Sequence, residues 1–488
     1  MPSNVFRLVL GSVLASSMAL SLAGCLSRPA GLATPDGGAV SPDRRTQALS
    51  GSSSPLPSID APRELFITNL SVVEDPARTT GTGVWTFGTL MTRMANGRDP
   101  EAFVRNWLLT WTTDQTVNGD VVKNRKLGIE HVLATWPKLP DGKLDLTKAP
   151  FRLAGIVNRI DLRSKGDAGE GRFVFHYVEP DNLVVTGDPS SAGPGDDRTL
   201  FTVIFEYGID LHMVSGDWGK KAIQNQADRL QALSDWANRW HRLGSIPFGP
   251  SYNAELQKLT DVFSGANANP TKPNGSALNQ LRTNEVQLAL QGAFGPGGDP
   301  IASPPIWELR EFHVSGAGSL ALAPVARTTK LALNNTTQLG DLINQNESAI
   351  LKDSFKVPTS LLAGSALMAD NLVWNAPNIL HPDDTRFKFA QNTCSGCHLA
   401  ETGLDQPRIG DLPQPFIGFL QVRPRRAGQE AVLSTFLTGV NVTDPVTGKV
   451  RSMNDLQRRI SDMQAIAGLT NFQLANPNLE APFPNRVD

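Results

Sequence analysis

The five residues Cys394-Ser395-Gly396-Cys397-His398 carry the clearest chemistry in this sequence. Two cysteines three positions apart, followed directly by a histidine, have the spacing that attaches a c-type haem. On a helical turn the two thiols can each add to a vinyl group of one haem edge, and the histidine then stands over the iron as its proximal ligand. The sequence therefore predicts one covalent haem c, held by Cys394, Cys397 and His398.

Cysteine usage supports this interpretation, because the chain has three cysteines in 488 residues and the third, Cys25, has a separate explanation. Two alternatives stay open. The pair Cys394 and Cys397 could instead form a disulfide or a thioredoxin-like redox pair, neither of which needs His398. The pair could also be half of a zinc site, although the sequence has no second cysteine pair to complete it.

The N-terminus predicts export. Arg7 precedes the apolar run Leu8 to Ala23, which ends in small residues and is shorter than the roughly 20 residues that a membrane span needs. The tetrapeptide Leu22-Ala23-Gly24-Cys25 resembles a bacterial lipobox, and the resemblance implies cleavage before Cys25 and acylation of its thiol and new amine. Residues 1–24 are then a lipoprotein signal peptide, and several acyl chains on Cys25 anchor the mature protein to a membrane.

The predicted export and the predicted haem support each other, because c-type haem is attached outside the cytoplasmic membrane. No acidic residue follows the lipid site at Leu26 and Ser27, which favours the outer over the inner membrane of the cell envelope. Residues 25–62 combine the lipid site with a segment rich in Pro, Gly and Ser, which predicts a disordered tether.

The residues after the tether exceed the usual size of one hydrophobic core. A formal net charge of −2 and 40% hydrophobic residues suit a soluble globular body and give no indication of nucleic-acid binding. The pattern predicts an α+β fold, with a large body of helices and antiparallel sheet (63–380), a small, mostly helical haem domain (381–470) and a tail (471–488).

Hydrophobic periodicity places the elements of the body. Asp99-Pro100-Glu101 predicts the start of a helix, with an acid at the N-cap and proline at the first helical position. The segments predicted as strands are Phe151–Leu162, Arg172–Val178, Leu200–Tyr207, Ile306–Val314 and Ser319–Val325. The segments predicted as further helices are Asp217–Leu243, Tyr252–Phe263 and Leu342–Leu351, while Leu278–Leu290 is ambiguous.

The last part of the chain predicts a helix over Arg386–Thr393, a helix over Gln429–Leu437 and a final helix capped by Ser452. Together with the Cys-x-x-Cys-His spacing, residues 381–470 resemble the class I cytochrome c domain. The whole arrangement resembles bacterial surface lipoproteins with a C-terminal cytochrome-like module.

The second axial ligand of the iron is open. The resemblance implies a downstream methionine, and Met453 is preferred over Met463, which lies on the apolar stripe of the last helix and suits core packing. His381 would give bis-histidine ligation, and an open position is the third possibility. A methionine ligand supports an electron carrier, whereas an open site can bind peroxide or oxygen.

Other chemistry-bearing residues have structural interpretations. His176, His212, His241 and His313 are scattered and suit hydrogen-bonded structural positions. The run Asn158 to Arg163 places charges in an apolar strand, which predicts a buried ion pair with Glu206. Gly193 to Asp197 suits a flexible turn better than a calcium loop.

These observations predict a lipid-anchored monohaem cytochrome that transfers single electrons in the cell envelope, with the membrane and a redox protein as partners. Two alternatives remain. One is a haem-dependent, peroxidase-like enzyme, and the other is a surface binding lipoprotein in which Cys394 and Cys397 form a structural disulfide. The sequence alone does not decide whether the protein is an enzyme.

Overall fold

The computed structural model describes residues 56–163, 167–178, 201–214, 223–285, 307–367, 372–398, 400–402 and 420–469. The described residues belong to one compact unit. The predicted signal peptide, Cys25, residues 26–55 of the tether, the segment Gly193 to Asp197 and the tail lie outside the described residues. Within the described ranges, no helix has both the length and the apolar character of a membrane span.

An antiparallel sheet of eight strands organises the described residues. The sheet strands are β1 (Phe66–Ile67), β4 (Phe151–Arg159), β5 (Asp167–Tyr177), β6 (Phe201–Asp210), β7 (Leu278–Glu285), β8 (Glu308–Val314), β9 (Leu320–Ala323) and β10 (Ala366–Leu367). Their order is β1-β4-β5-β6-β7-β8-β10, and β9 pairs with β8 off this path. Two hairpins lie apart from the sheet: β2 (Gln115–Val117) with β3 (Asp120–Val122), and β11 (Val440–Thr443) with β12 (Val450–Met453). The predicted α+β class is confirmed.

Helices form around this sheet. In the body they are Ala61–Glu64, Leu70–Val73, Pro76–Thr79, Phe87–Ala95, Pro100–Leu109, Lys126–Thr135, Leu211–Val214, Gln226–His241, Pro250–Ser264, Thr337–Gln345 and Glu347–Leu351. In the last part of the chain they are Phe387–Gln391, Cys394–Cys397, Thr435–Thr438 and Asp455–Ala467, the last of which we call the C-terminal helix. The predicted start at Asp99 is confirmed, because its carboxylate accepts hydrogen bonds from the backbone N–H groups of Glu101 and Ala102.

The two faces of the sheet differ in chemistry. Successive side chains of a strand point to opposite faces, so Phe173 and Phe175 of β5 enter the main hydrophobic core with the body helices. Arg172 and Val174 point to the other face, which we call the outer face. There, residues 420–437 pack Val422 and Leu437 against the sheet. The main core thus forms on one face, and residues 420–437 pack on the other.

The C-terminal helix is tied to the body by charges as well as by packing. Arg163 Nη2 donates to Asp462 Oδ1 at 2.9 Å, and Arg458 Nη2 lies 2.9 Å from Asp161 Oδ2. Met463 is fully buried in the main core, its sulfur 3.9 Å from Asn158 Nδ2. Residues from both sides of position 381 therefore share the main core. The predicted domain boundary at 381 stays a sequence-based prediction.

The predicted start of the last helix was wrong by two residues. Val450–Met453 pairs with β11 across a tight turn, whose Gly448 has a φ of +71°. Ser452 and Met453 are therefore strand residues. The helix is capped by Asn454, whose side-chain oxygen accepts from the Gln457 N–H at 2.9 Å. Ser452 and Asn454 are both residue types that can cap a helix. Because Ser452 is paired in the hairpin, Asn454 caps the helix instead.

A buried histidine on the outer face makes stability depend on pH. Burial, with smaller contributions from Arg425 and Arg152, lowers the pKa of His176 from 6.5 to about 3. Below about pH 6.5 the unfolded chain binds a proton there that the folded chain does not, so the free energy of unfolding should fall by at most about 1.4 kcal/mol per pH unit towards pH 3. Urea denaturation at a series of pH values between 3 and 6.5 should show this dependence of the free energy of unfolding on pH. The variant His176→Gln should show a smaller dependence.

The matched control for this prediction is His381→Gln, because His381 is exposed at 64% and pairs with Glu347 on the surface. An unchanged pH slope in the His176 variant would contradict the assignment.

Candidate functional site

A short helical turn carries the Cys-x-x-Cys-His residues. The helix Phe387–Gln391 ends just before it, and Thr393 caps the turn by accepting a hydrogen bond from the Gly396 N–H at 2.9 Å. The His398 N–H then donates to the Cys394 carbonyl at 3.0 Å. Both cysteines and the histidine therefore lie on one compact turn, as the sequence predicts.

Gly396 is required by the packing of this turn. A Cβ at position 396 would stand 2.0 Å from the carbonyl oxygen of Ala390, which is backbone and cannot rotate away. Gly396→Ala is therefore expected to lower the free energy of unfolding by about 1–3 kcal/mol, the usual cost of overpacking. Urea denaturation followed by tryptophan fluorescence measures this cost.

Gly316→Ala is the control for that substitution, since nothing lies within 4 Å of the position a Cβ would take there. Equal unfolding midpoints for the two variants would contradict the packing argument.

Cys394, Cys397 and His398 line one cleft between the outer face and the last part of the chain. Its enclosed free space is about 130 Å³, which is below the usual range of small-molecule and cofactor pockets, so a larger ligand would extend into the open mouth. The apolar side chains of the lining are Phe66, Val157, Val174, Ile204, Leu309, Ala326, Leu420, Val422, Phe436 and Leu437. The charged side chains of the lining are Arg159, Arg172, Glu206, Arg282, Arg327, Asp455 and Arg459.

The three predicted haem residues are held by side chains from distant parts of the chain. The Trp307 ring stacks on the His398 imidazole, with ring centroids 4.9 Å apart and planes 27° apart. Gln421 Nε2 donates to Cys397 Sγ at 3.4 Å, and the Cys394 N–H donates to Thr328 Oγ1 at 3.1 Å. The orientation of the turn is thus fixed from both sides.

The two thiols are not joined by a disulfide. Burial raises the pKa of the Cys394 thiol, and the positive charge of Arg282 and the Thr328 hydroxyl oppose that rise. Cys394 is therefore a protonated thiol near neutral pH, in contact with the apolar cluster that contains Trp307.

A series of buried ion pairs lines the cleft. Glu206 Oε2 lies 3.3 Å from Arg172 Nη2 and 3.5 Å from Arg282 Nη1. Arg282 also donates through Nε to Glu311 Oε2 at 3.0 Å. Burial alone would lower the pKa of Arg282. The carboxylates of Glu206 and Glu311 have the larger combined effect and raise that pKa. The guanidinium beside Cys394 is therefore permanently charged.

A second buried ionic group holds both ends of the Cys-x-x-Cys-His turn. Arg386 is fully buried and contacts Glu401 and Asp444, each at 2.7 Å. Its Nη1 also donates to the Trp374 carbonyl at 2.9 Å, and the Trp374 Nε1 donates to Ser395 Oγ at 2.9 Å. We call Arg386, Glu401 and Asp444 the clamp, because Arg386 precedes the turn, Glu401 follows it and Asp444 belongs to the β11–β12 hairpin loop.

The candidate axial ligands lie in different places. Met453 is 7% exposed at the end of β12, opposite Val440, and is not among the described residues that line the cleft. Met463 packs in the main core, as its helical stripe predicts. His381 is exposed and pairs with Glu347 at 2.8 Å. Met453 as iron ligand stays a prediction.

The remaining sequence candidates have structural partners. His241 pairs with Glu64 at 2.9 Å and His313 with Glu311 at 2.8 Å. His212 follows β6 and its backbone N–H donates to Asp210.

The strand run from Asn158 to Arg163 does form buried ion pairs, but Arg159 pairs with Asp161 at 2.9 Å. Glu206, the predicted partner, pairs with Arg172 and Arg282 because the sheet register places those side chains beside it on the outer face.

Several residues of the site carry no signal of their own in the sequence. Trp307, Arg282 and Gln421 reach the cleft only through the order of strands and the path of the last part of the chain. Among the residues that the structure describes, no group of three or more His, Cys, Asp or Glu side chains is arranged to hold a metal ion.

Comparison of the chain with protein-family models, with curated proteins and with solved structures gives no match.

Proposed function

We propose that this chain is a lipid-anchored, monohaem c-type cytochrome that transfers single electrons in the bacterial cell envelope. Cys394 and Cys397 would hold one haem c, and His398 would be the proximal ligand of its iron. The observation that carries the proposal is the convergence of both thiols and the imidazole on one open cleft whose lining includes many apolar side chains.

The residues around the cleft fit such a group. Phe66, Val174 and Ile204 offer apolar contacts to a planar ring, and the thiols and His398 line the same space. Cys394 and Cys397 can both form thioethers because neither is used in a disulfide. Bound haem would supply a one-electron couple, with a potential set by axial ligand, burial and hydrogen bonding.

The chain's own residues would orient and shield that group. The stack of Trp307 against His398 fixes the plane of the imidazole, and Gln421 holds the Cys397 sulfur. The clamp keeps the Cys-x-x-Cys-His turn against the body. A rigid site of this kind favours electron transfer because little reorganises when the charge changes.

The lipid anchor belongs to the same proposal. Cleavage before Cys25 and its acylation would place the protein in the cell envelope, preferentially at the outer membrane, with residues 26–62 as tether. The partners would be the membrane, through the lipid, and a redox protein. Met453 is the proposed second axial ligand.

Absorption spectra of the protein matured in a haem-competent bacterial host test this function. We expect a c-type reduced spectrum with dithionite and reversible oxidation by air. Met453→Leu should alter the oxidised spectrum if that methionine binds iron, while Met463→Leu should not. Material with no haem band would overturn the proposal, and rapid turnover of hydrogen peroxide would favour the peroxidase-like alternative.

A further inference from the structure

A lysine, an asparagine and a glutamate meet at one end of the sheet. Lys272 lies in the loop before β7, Asn279 lies in β7 and Glu170 lies in β5. Lys272 Nζ donates to Asn279 Oδ1 at 2.6 Å, and Asn279 Nδ2 donates to Glu170 Oε1 at 3.0 Å. The carboxamide of Asn279 therefore stands between an amine and a carboxylate.

The backbone of the sheet positions this carboxamide. Asn279 is the extra residue of a β-bulge between β6 and β7, and a bulge re-aims the side chain that it carries. Gly208 of β6, directly opposite Glu170 in the register, leaves the space that the carboxamide needs. A Cβ at position 208 would stand 2.4 to 2.7 Å from the Oδ1, Nδ2 and Cγ atoms of Asn279. The packing thus holds the carboxamide in one place.

The carboxylate of Glu170 faces the amide nitrogen. Its Oε2 accepts from Arg172 through Nε at 3.0 Å and Nη2 at 2.7 Å, while its Oε1 accepts from Asn279 and, at 3.2 Å, from Gln280 Nε2. Burial alone would raise the pKa of Glu170, but the charge of Arg172 and the hydrogen bond from Asn279 lower it. Glu170 is therefore an ionised proton acceptor beside Asn279 Nδ2 near neutral pH.

The amine of Lys272 is close to the carbonyl carbon. Burial lowers the pKa of Lys272, against the opposing charges of Glu170, Asp210 and Asp167. A lowered pKa enlarges the fraction of neutral amine, which is the nucleophilic form. Because Asn279 Cγ is bonded to Oδ1, it lies no more than about 3.8 Å from Lys272 Nζ. Two groups held this close in a folded chain react far faster than the same groups free in solution.

We propose that Lys272 and Asn279 become joined by an intramolecular isopeptide bond, with Glu170 as the group that transfers the proton. Lys272 Nζ attacks Asn279 Cγ, the Nζ–Cγ bond forms, the Cγ–Nδ2 bond breaks and ammonia leaves. Glu170 takes one proton from Nζ and passes it to Nδ2, so the carboxylate is unchanged at the end. The step consumes no other reactant, and the inference is independent of the proposed haem function.

The bond would tie the loop before β7 covalently to the bulge of that strand. A cross-link stabilises a fold mainly by restricting the unfolded chain. The loop and the bulge would then stay joined even when the rest of the chain unfolds.

Mass spectrometry of the full chain tests this proposal. The purified protein is denatured, its lysines are dimethylated, and trypsin then cleaves only after arginine. The peptide of residues 243–282 contains two lysines, Lys258 and Lys272. We expect this peptide to be lighter by one ammonia and to carry the label on Lys258 alone, because the Nζ of Lys272 is already an amide nitrogen.

Two results would overturn the proposal. One is a peptide labelled on both lysines with no loss of ammonia. The other is a loss of ammonia with both lysines labelled, which would place a succinimide at Asn274-Gly275 instead. This measurement on the parent chain needs no substitution, so it decides the proposal even where a variant fails to fold.

Substitutions then test the role of each group. Lys272→Arg should abolish the loss of ammonia, and Glu170→Gln should slow bond formation by about a hundredfold, the usual contribution of a positioned proton-transfer group. Glu255→Gln is the matched control, because Glu255 is an exposed glutamate that pairs with Lys258 at 2.6 Å. The control should form the bond as the parent chain does. Equal rates in the Glu170 and Glu255 variants would contradict the role of Glu170.

Discussion

A chain carrying Cys394→Ala and Cys397→Ala is expected to leave a haem-competent host with no covalent haem, while the unsubstituted chain carries one. Thioether bonds to the ring need both sulfurs, and the third cysteine, Cys25, lies far away at the N-terminus. The single variants should retain at most one thioether. Haem-stained denaturing gels and intact mass measure the loss directly.

Folding should survive this double substitution. Alanine removes one small group at each position, and each loss is expected to cost about 1 kcal/mol of stability, like other deletions of a single buried group. The unfolding midpoint of the haem-free chain therefore separates loss of the cofactor from loss of the fold.

Cys25→Ala is the control, because it replaces a cysteine that lies outside the predicted haem site. It should abolish lipidation and membrane attachment but leave covalent haem unchanged. Loss of haem from that variant, or retention of covalent haem by the double variant, would contradict the assignment of the two cysteine sites.

The second large effect is expected at the clamp. Arg386→Met removes a fully buried guanidinium that contacts Glu401 and Asp444 at 2.7 Å each, and so leaves two buried carboxylates without their cation. Breaking a buried ion pair in this way costs about 3–5 kcal/mol. Burial already raises the pKa of Glu401, against the opposing effect of Arg386, so the variant should also take up a proton there.

Urea denaturation of the full chain at neutral pH measures this effect. Lys388→Met is the matched control, two residues away, because Lys388 pairs with Asp353 at 3.2 Å in a partly exposed position. Such a pair is worth about 1 kcal/mol or less. Similar losses in both variants would show that the clamp does not hold the turn.

The local elements were predictable from the sequence because their signals are local. The Asp99 cap and the strands that include Phe151–Arg159 and Phe201–Asp210 follow from N-cap chemistry and hydrophobic spacing. The ambiguous segment from Leu278 became β7 because its neighbours in the sheet pair with it on both sides. No local pattern distinguishes that outcome from a helix.

The turn at Cys394 was predictable, but its surroundings were not. Trp307 precedes it by more than eighty residues, and Arg282 by more than a hundred, and only the sheet order brings them together. The pairing of Glu206 depended on register across β5, β6 and β7, where a shift of one residue would turn the side chain to the other face. The position of Met453 depended on a hairpin that residue composition does not reveal.

The most direct test is mass spectrometry of the proteolytic peptide that spans residues 394–398, taken from protein matured where haem is attached. The account predicts a peptide heavier by the mass of one haem, joined through both sulfurs. A peptide with two unmodified thiols, or one lighter by two hydrogens because Cys394 and Cys397 form a disulfide, would contradict it.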